Sequence, residues 1–152
     1  MENLEELAYN LSLRALAQQE AVLSELRARA GALLTATAVV TSFLGGRALD
    51  QQTHRALAIA GFVLAIASLL LSVYVLAPKA DLDFALSGPA VYEHFAERST
   101  DLYEAKRTLA YWNQGAYDAN QQVVDALIRW FRRAIGALVL AVAFWSLGLA
   151  LN

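Results

Sequence analysis

Three long stretches of the chain contain no charged residue, and they run over residues 30–46, 56–78 and 134–152. A helix needs roughly 20 apolar residues to cross the hydrocarbon core of a bilayer, within a range of about 17–25. The first stretch is at the short end of that range, and the other two meet it in full. The pattern predicts an all-α integral membrane protein with three transmembrane helices. The alternative, a soluble bundle, would have little amphipathic surface.

Residues 1–29 precede the first span and predict a cytoplasmic amphipathic helix. They are rich in Leu, Ala, Glu, Gln and Arg, which favour helix, and they contain neither Pro nor Gly. Nothing interrupts this pattern before residue 30, so we expect the helix to continue into the membrane. Its leucines recur at helical spacing along one stripe: Leu4, Leu7, Leu11, Leu16, Leu23 and Leu26.

Residues 79–133 form the one sizeable polar segment. Pro78 ends the second span, and residues 82–86 alternate as in an extended segment. Asp101, with a Glu three residues later, is a helix-start signal. No proline follows, so we predict one long cytoplasmic helix that is continuous with the third span, with Gly115 as its weakest point.

The basic residues are distributed unevenly around the spans. Only Arg47 and Arg55 lie in the loop 47–55 between the first two spans. Cytoplasmic loops carry the excess of Lys and Arg, so we predict a cytoplasmic amino terminus, a cytoplasmic segment 79–133 and an external carboxyl terminus. The other ten basic residues all lie on the predicted inner side: Arg14, Arg27, Arg29, Lys79, Arg98, Lys106, Arg107, Arg129, Arg132 and Arg133.

Composition narrows the function classes. The chain of 152 residues is 58% hydrophobic, above the roughly 45–50% of soluble domains. A net charge of −2 gives no reason to expect a nucleic acid partner, and the lack of cysteine excludes disulfides and thiolate sites. His54 and His94 are predicted on opposite sides of the membrane. We therefore predict no metal, no cofactor, no catalytic residue and no enzymatic activity.

Small residues recur at helical spacing along the first two spans, where they let helix backbones approach closely in lipid. Two interpretations stay open, namely plain helix packing, or a face on which the Thr35 and Ser42 hydroxyls line a pore or a seam between subunits. The spans contain no Asp, Glu, Lys, Arg or His, which argues against ion-coupled transport. The residues concerned are Gly31, Thr35, Ala38, Ser42 and Gly45 in the first span and Gly61, Ala65, Ser68 and Ser72 in the second.

The long cytoplasmic helix carries two sets of notable residues. The first mixes aromatic and basic side chains, which suit either a nucleotide's base and phosphate or a protein interface. The second is a continuous face with polar positions that can set the register of a helix pair. The first set is Arg98, Tyr103, Lys106, Arg107, Tyr111 and Trp112. The second set is Asn113, Tyr117, Asn120, Val124, Leu127 and Phe131.

The order of these parts resembles a known family. The first span opens with the residues Arg27-Ala28-Arg29-Ala30-Gly31-Ala32-Leu33-Leu34, and the second ends with Leu76-Ala77-Pro78-Lys79. The chain is similar to the small bacterial transmembrane effectors associated with cyclic-pyrimidine (Pycsar) antiphage defence. In that family an Asp-Ala-Lys-Ala-like motif commonly opens the first span. Arg27 stands here in place of the acidic residue, while Arg29 matches the Lys.

The resemblance implies a protein of the bacterial inner membrane. It would bind a cyclic nucleotide made during phage infection, assemble into a homo-oligomer and impair the membrane. The residues themselves leave two alternatives open. One is a constitutive oligomeric ion channel lined by Thr35 and Ser42, and the other is a non-conducting scaffold whose long helix docks a cytoplasmic partner.

Overall fold

The computed structural model describes residues 4–50, 55–80, 82, 84, 86–96 and 101–151, and no strand occurs among them. The helices are α1 (Leu4–Val40), α2 (Gly46–Asp50), α3 (Arg55–Leu76), α4 (Gly88–Ala96) and α5 (Leu102–Ala150), and a π-helical segment, Thr41–Gly45, joins α1 to α2. The all-helical prediction is confirmed for this part of the chain. Arg98 and residues 51–54 of the predicted external loop, which include His54, lie outside the described residues.

Three helical stretches are long and apolar enough to cross a membrane. They are Leu4–Ala48, Arg55–Leu76 and Leu102–Ala150. Both predicted continuities are confirmed, because α1 runs unbroken from the amino-terminal region into the first apolar stretch and α5 runs unbroken into the third. α5 passes without a break through Gly115, the predicted weak point. The flanking residues favour helix strongly enough to carry α5 through this glycine.

The chain divides into two compact units, and α1 and α5 each contribute to both. We call Met1–Ser24 with Lys79–Asp125 the polar unit and Glu25–Pro78 with Ala126–Asn152 the apolar unit.

In the polar unit, α1 and α5 run parallel. The Lys106 ammonium lies 3.4 Å from the Glu6 carboxylate, and Asn113 Nδ2 donates to Ser12 Oγ at 3.0 Å. Gln19 Nε2 donates to the Tyr117 carbonyl at 3.1 Å, so residue numbers rise together along both helices. The buried α1 positions Ser12, Leu16, Gln19 and Leu23 alternate by four and three, the spacing of a coiled-coil seam.

The predicted register-setting face of α5 is confirmed as a packing face. Asn113, Asn120 and Val124 are buried in the polar unit, and Leu127 is buried in the apolar unit. A buried polar residue in a coiled coil costs stability but specifies the register, since only one alignment satisfies its hydrogen bonds. The Gln19 amide illustrates the cost, because its Nε2 is bonded while its buried Oε1 has no hydrogen-bond partner.

In the apolar unit, α3 runs antiparallel to α5. Ser68 Oγ donates to the Ala134 carbonyl at 2.9 Å, and Trp145 Nε1 donates to the Ala58 carbonyl at 3.3 Å. The opposite face of α3 is an exposed apolar stripe whose residues are spaced by four and three. Such a stripe is unfavourable in water and suited to lipid. It consists of Ile59, Val63, Ile66, Leu70 and Val73.

Candidate functional site

A groove in the polar unit is lined by α1 and α5 and has a volume of about 580 Å³. That size lies within the range of small-molecule sites. Its walls are mostly apolar, with two charged side chains, one aromatic ring and two uncharged polar groups. The lining residues are Leu4, Glu5, Ala8, Leu11, Ser12, Ala15, Arg107, Ala110, Tyr111 and Gln114.

Arg107 and Tyr111 give the groove its recognition chemistry. They are four residues apart on α5, so they project from the same face, and both are exposed. Tyr111 is 72% exposed, which leaves its ring free to stack on a planar ligand. No carboxylate lies within salt-bridge distance of Arg107 in the described part of the chain, so its guanidinium can bind an anion. Glu5 adds a carboxylate that can accept hydrogen bonds from hydroxyl groups.

The other members of the predicted aromatic and basic set do not join this groove. Lys106 pairs with Glu6. The Trp112 ring packs 4.9 Å from the ring of His94 and 5.8 Å from that of Phe95, centroid to centroid, and so attaches α4 to α5. Tyr103 is half exposed and does not line the groove. Arg98 lies outside the described residues. Of the residues that are clustered in the sequence, Arg107 and Tyr111 therefore line the groove, whereas Lys106 and Trp112 make packing contacts.

The small residues of α3 all lie inside the apolar unit. Gly61, Ala65, Ser68 and Ser72 are buried. Ser68 Oγ lies 3.4 Å from Thr37 Oγ1, and Ser72 Oγ donates to the Ser68 carbonyl at 2.8 Å. These hydroxyls are therefore engaged in contacts within one chain, and none of them is free to line a pore.

The small residues of α1 are placed differently. Thr35, Ala38 and Ser42 are exposed and Gly31 is half-buried, while Gly45 is buried beside the Phe62 ring. The exposed members leave a surface of small side chains on α1 and the π-helical segment that follows it, which we call the open face (Gly31, Thr35, Ala38, Ser42). The Thr35 hydroxyl on this face donates to its own helix, at the Gly31 carbonyl.

Sequence reasoning missed the residues of α1 that do pack inside. Ala30 and Thr37 are fully buried, and Thr37 Oγ1 donates to the Leu33 carbonyl at 2.8 Å. It also missed Trp145, which is fully buried against Phe62 with the ring centroids 5.3 Å apart. Residues 30, 37 and 44 continue the seven-residue repeat of Leu16 and Leu23, but the small residues of the other face recur just as regularly, so this signal alone does not identify the inner face.

In the described ranges, no group of three or more His, Cys, Asp or Glu side chains lies close enough together to hold a metal ion. Comparison with protein-family models, with characterised proteins and with solved structures gives no match to this chain.

Proposed function

We propose that this protein is a multi-pass effector of the bacterial inner membrane that acts in antiphage defence. A cyclic nucleotide binds the polar unit, the chains assemble through the apolar unit, and the assembly impairs the membrane. The amino terminus and the polar unit lie in the cytoplasm and the carboxyl terminus lies outside. The ten-to-two distribution of basic residues supports this orientation, and the resemblance to Pycsar effectors supports the defence role.

The observation that carries the proposal is the open face of α1. Within one chain, the small residues of α3 are buried in contacts with neighbouring helices, whereas Thr35, Ala38 and Ser42 of the first apolar stretch remain exposed. In lipid, helices associate where small residues allow close backbone contact. The open face is therefore the surface through which a second chain can pack. The π-helical segment Thr41–Gly45, which contains Ser42 of this face, is a further feature typical of functional sites in helices.

Assembly is expected to require the small size of Ala38. Ala38→Leu places a branched side chain in the middle of the open face and should abolish dye leakage from cells that overproduce the protein. Ala36→Leu is the matched control, since Ala36 is also exposed on α1 but lies about 160° away around the helix. A potential-sensitive dye reports leakage, and cross-linking reports assembly. If both variants leak as the wild type does, the open face has no role in assembly.

Nucleotide binding is expected to require Arg107. Its guanidinium would bind the cyclic phosphate, Tyr111 would stack on the base, and Glu5 would accept a hydrogen bond from the ribose hydroxyl. Arg107→Gln should weaken binding by about 10- to 100-fold, because a charge-assisted hydrogen bond contributes roughly 1.5–3 kcal/mol. Titration calorimetry of the detergent-purified protein with cyclic CMP and cyclic UMP measures this. Lys106→Gln is the control, since Lys106 is paired with Glu6 and lies outside the groove.

These experiments separate the proposal from its alternatives. A constitutive channel would pass ions in reconstituted liposomes with no nucleotide present. A scaffold would leave liposomes sealed with and without nucleotide, and would co-purify with one stoichiometric protein. Equal weakening by Arg107→Gln and Lys106→Gln would mean that general charge, rather than the groove, attracts the nucleotide.

A further inference from the structure

One end of the apolar unit carries an arginine that is held in place by aromatic rings. The Arg133 guanidinium lies 4.5 Å from the centroid of the Trp130 ring. The Trp130 ring in turn makes an edge-to-face contact with Tyr74 of α3, with the centroids 5.9 Å apart. A guanidinium stacked on a ring keeps its N–H donors in its own plane, where they remain available to an oxyanion. The stack therefore orients Arg133 and leaves its donors free.

A second arginine lies beside it. Arg129 precedes Arg133 by four residues on α5, so the two side chains are neighbours on one face, and both are exposed. Like charges at this spacing repel by a few tenths of a kcal/mol. No Asp or Glu within the described ranges lies within salt-bridge distance of either guanidinium. An anion with several oxygen atoms would remove the repulsion and bind both arginines.

The same side of α5 continues as an apolar surface. Gly136 follows Arg133 by three residues, and open space surrounds the position that a Cβ would take there. Leu140 and Leu147 come next at the same helical spacing, and each is about half exposed. The side thus carries two cationic groups at one end, a gap at the glycine and then exposed leucines. This is the order of a phospholipid's parts, a phosphodiester headgroup followed by an acyl chain.

We propose that Arg129 and Arg133 bind the phosphodiester of an anionic phospholipid, with an acyl chain lying along Gly136, Leu140 and Leu147. Trp130 is a positioning residue that holds Arg133 through their stack. The site rests on the membrane insertion put forward above, and it lies at the inner leaflet in that orientation. Arginine clusters at the cytoplasmic ends of spans are the general means of binding anionic lipid headgroups.

The test is retention of phosphatidylglycerol by the detergent-purified full chain, measured by native mass spectrometry across a lipid titration. We expect wild-type protein to retain phosphatidylglycerol in preference to phosphatidylcholine. Arg133→Gln should weaken retention by about tenfold. Arg133→Lys should weaken it by about threefold, because lysine keeps the charge but lacks the planar stacked donors. Arg55→Gln is the matched control, an exposed arginine of the same unit at the other end of α3, and should retain lipid as the wild type does.

Two further arms make the outcome decisive. Glycerol phosphate and inorganic phosphate should not compete at millimolar concentration if the acyl chain contributes. If they do compete, the site is for soluble phosphates and the lipid proposal fails. Full retention by Arg133→Lys would show general charge attraction and also overturn it. If Arg133→Gln unfolds, Arg129→Gln replaces it, because Arg129 is not part of the stack between Arg133 and Trp130. The lipid assay uses no nucleotide and does not depend on dye leakage. Lipid retention can therefore be absent while the effector function is present, and the effector function can be absent while lipid is retained.

Discussion

Trp145→Ala is expected to destabilise the apolar unit by about 3–5 kcal/mol, the usual cost of removing a buried aromatic side chain. The indole is fully buried, packs edge-to-face on Phe62 and donates its N–H to the Ala58 carbonyl. Its removal leaves a cavity beside Gly61 and Gly45 that neighbouring helices fill only in part. The test is thermal denaturation in detergent, in which the fraction of protein that stays in solution is measured after heating to each temperature. The midpoint should fall by on the order of 10 °C.

Two further variants of α5 are the controls for Trp145→Ala. Trp145→Phe keeps a ring against Phe62 and should lose less than half as much. Leu147→Ala removes a side chain that is 50% exposed and faces away from the core, so it should change the midpoint little. Equal losses for Trp145→Ala and Leu147→Ala would show that Trp145 is not packed inside the unit.

Gly61→Ala is also expected to destabilise the apolar unit, although it adds a single methyl group. A Cβ at residue 61 would lie 2.7 Å from Cδ1 of Trp145, closer than non-bonded carbon atoms approach, and the clash is with a ring that also packs edge-to-face on Phe62. Overpacking of this kind costs about 1–3 kcal/mol. The control is Gly31→Ala, where nothing lies within 4 Å of the new Cβ. This variant should instead stabilise α1 by about 0.5–1 kcal/mol.

The two sites should be strongly coupled. In a Trp145→Ala background, the ring that opposes a Cβ at residue 61 is absent, so Gly61→Ala should cost nothing and can even fill part of the cavity. A double-mutant cycle in the same denaturation assay measures this coupling. Additive effects would contradict the direct contact between Gly61 and Trp145.

The long helical elements could be predicted from the sequence because each depends on local properties. Residues 4–40 and 102–150 contain no proline, and uncharged runs of the required length identify the apolar spans without reference to any neighbour. The seam of α5 was also predictable, since Asn113, Asn120 and Leu127 recur every seven residues. The packing face of α5 can thus be predicted from the spacing of residues within this one helix.

The ligand groove was predictable only in part. Arg107 and Tyr111 were candidates because their residue types suit a nucleotide. Lys106 and Trp112 were equally good candidates by type, and only the positions of Glu6 and His94 assign them to packing. Adjacent residues on a helix point about 100° apart. Side chains that are neighbours in the sequence therefore contact different elements around the helix.

By itself the sequence determined that the described part of the chain is helical, where the three stretches apolar enough to cross a membrane lie and which face of α5 packs. Only the tertiary structure decided which face of α1 is open. Both candidate faces of this helix carry small residues, Ala30 and Thr37 on one and Thr35 and Ala38 on the other. Periodicity cannot choose between them. The choice depends on which face meets the hydroxyl of Ser68, a contact between positions 31 residues apart.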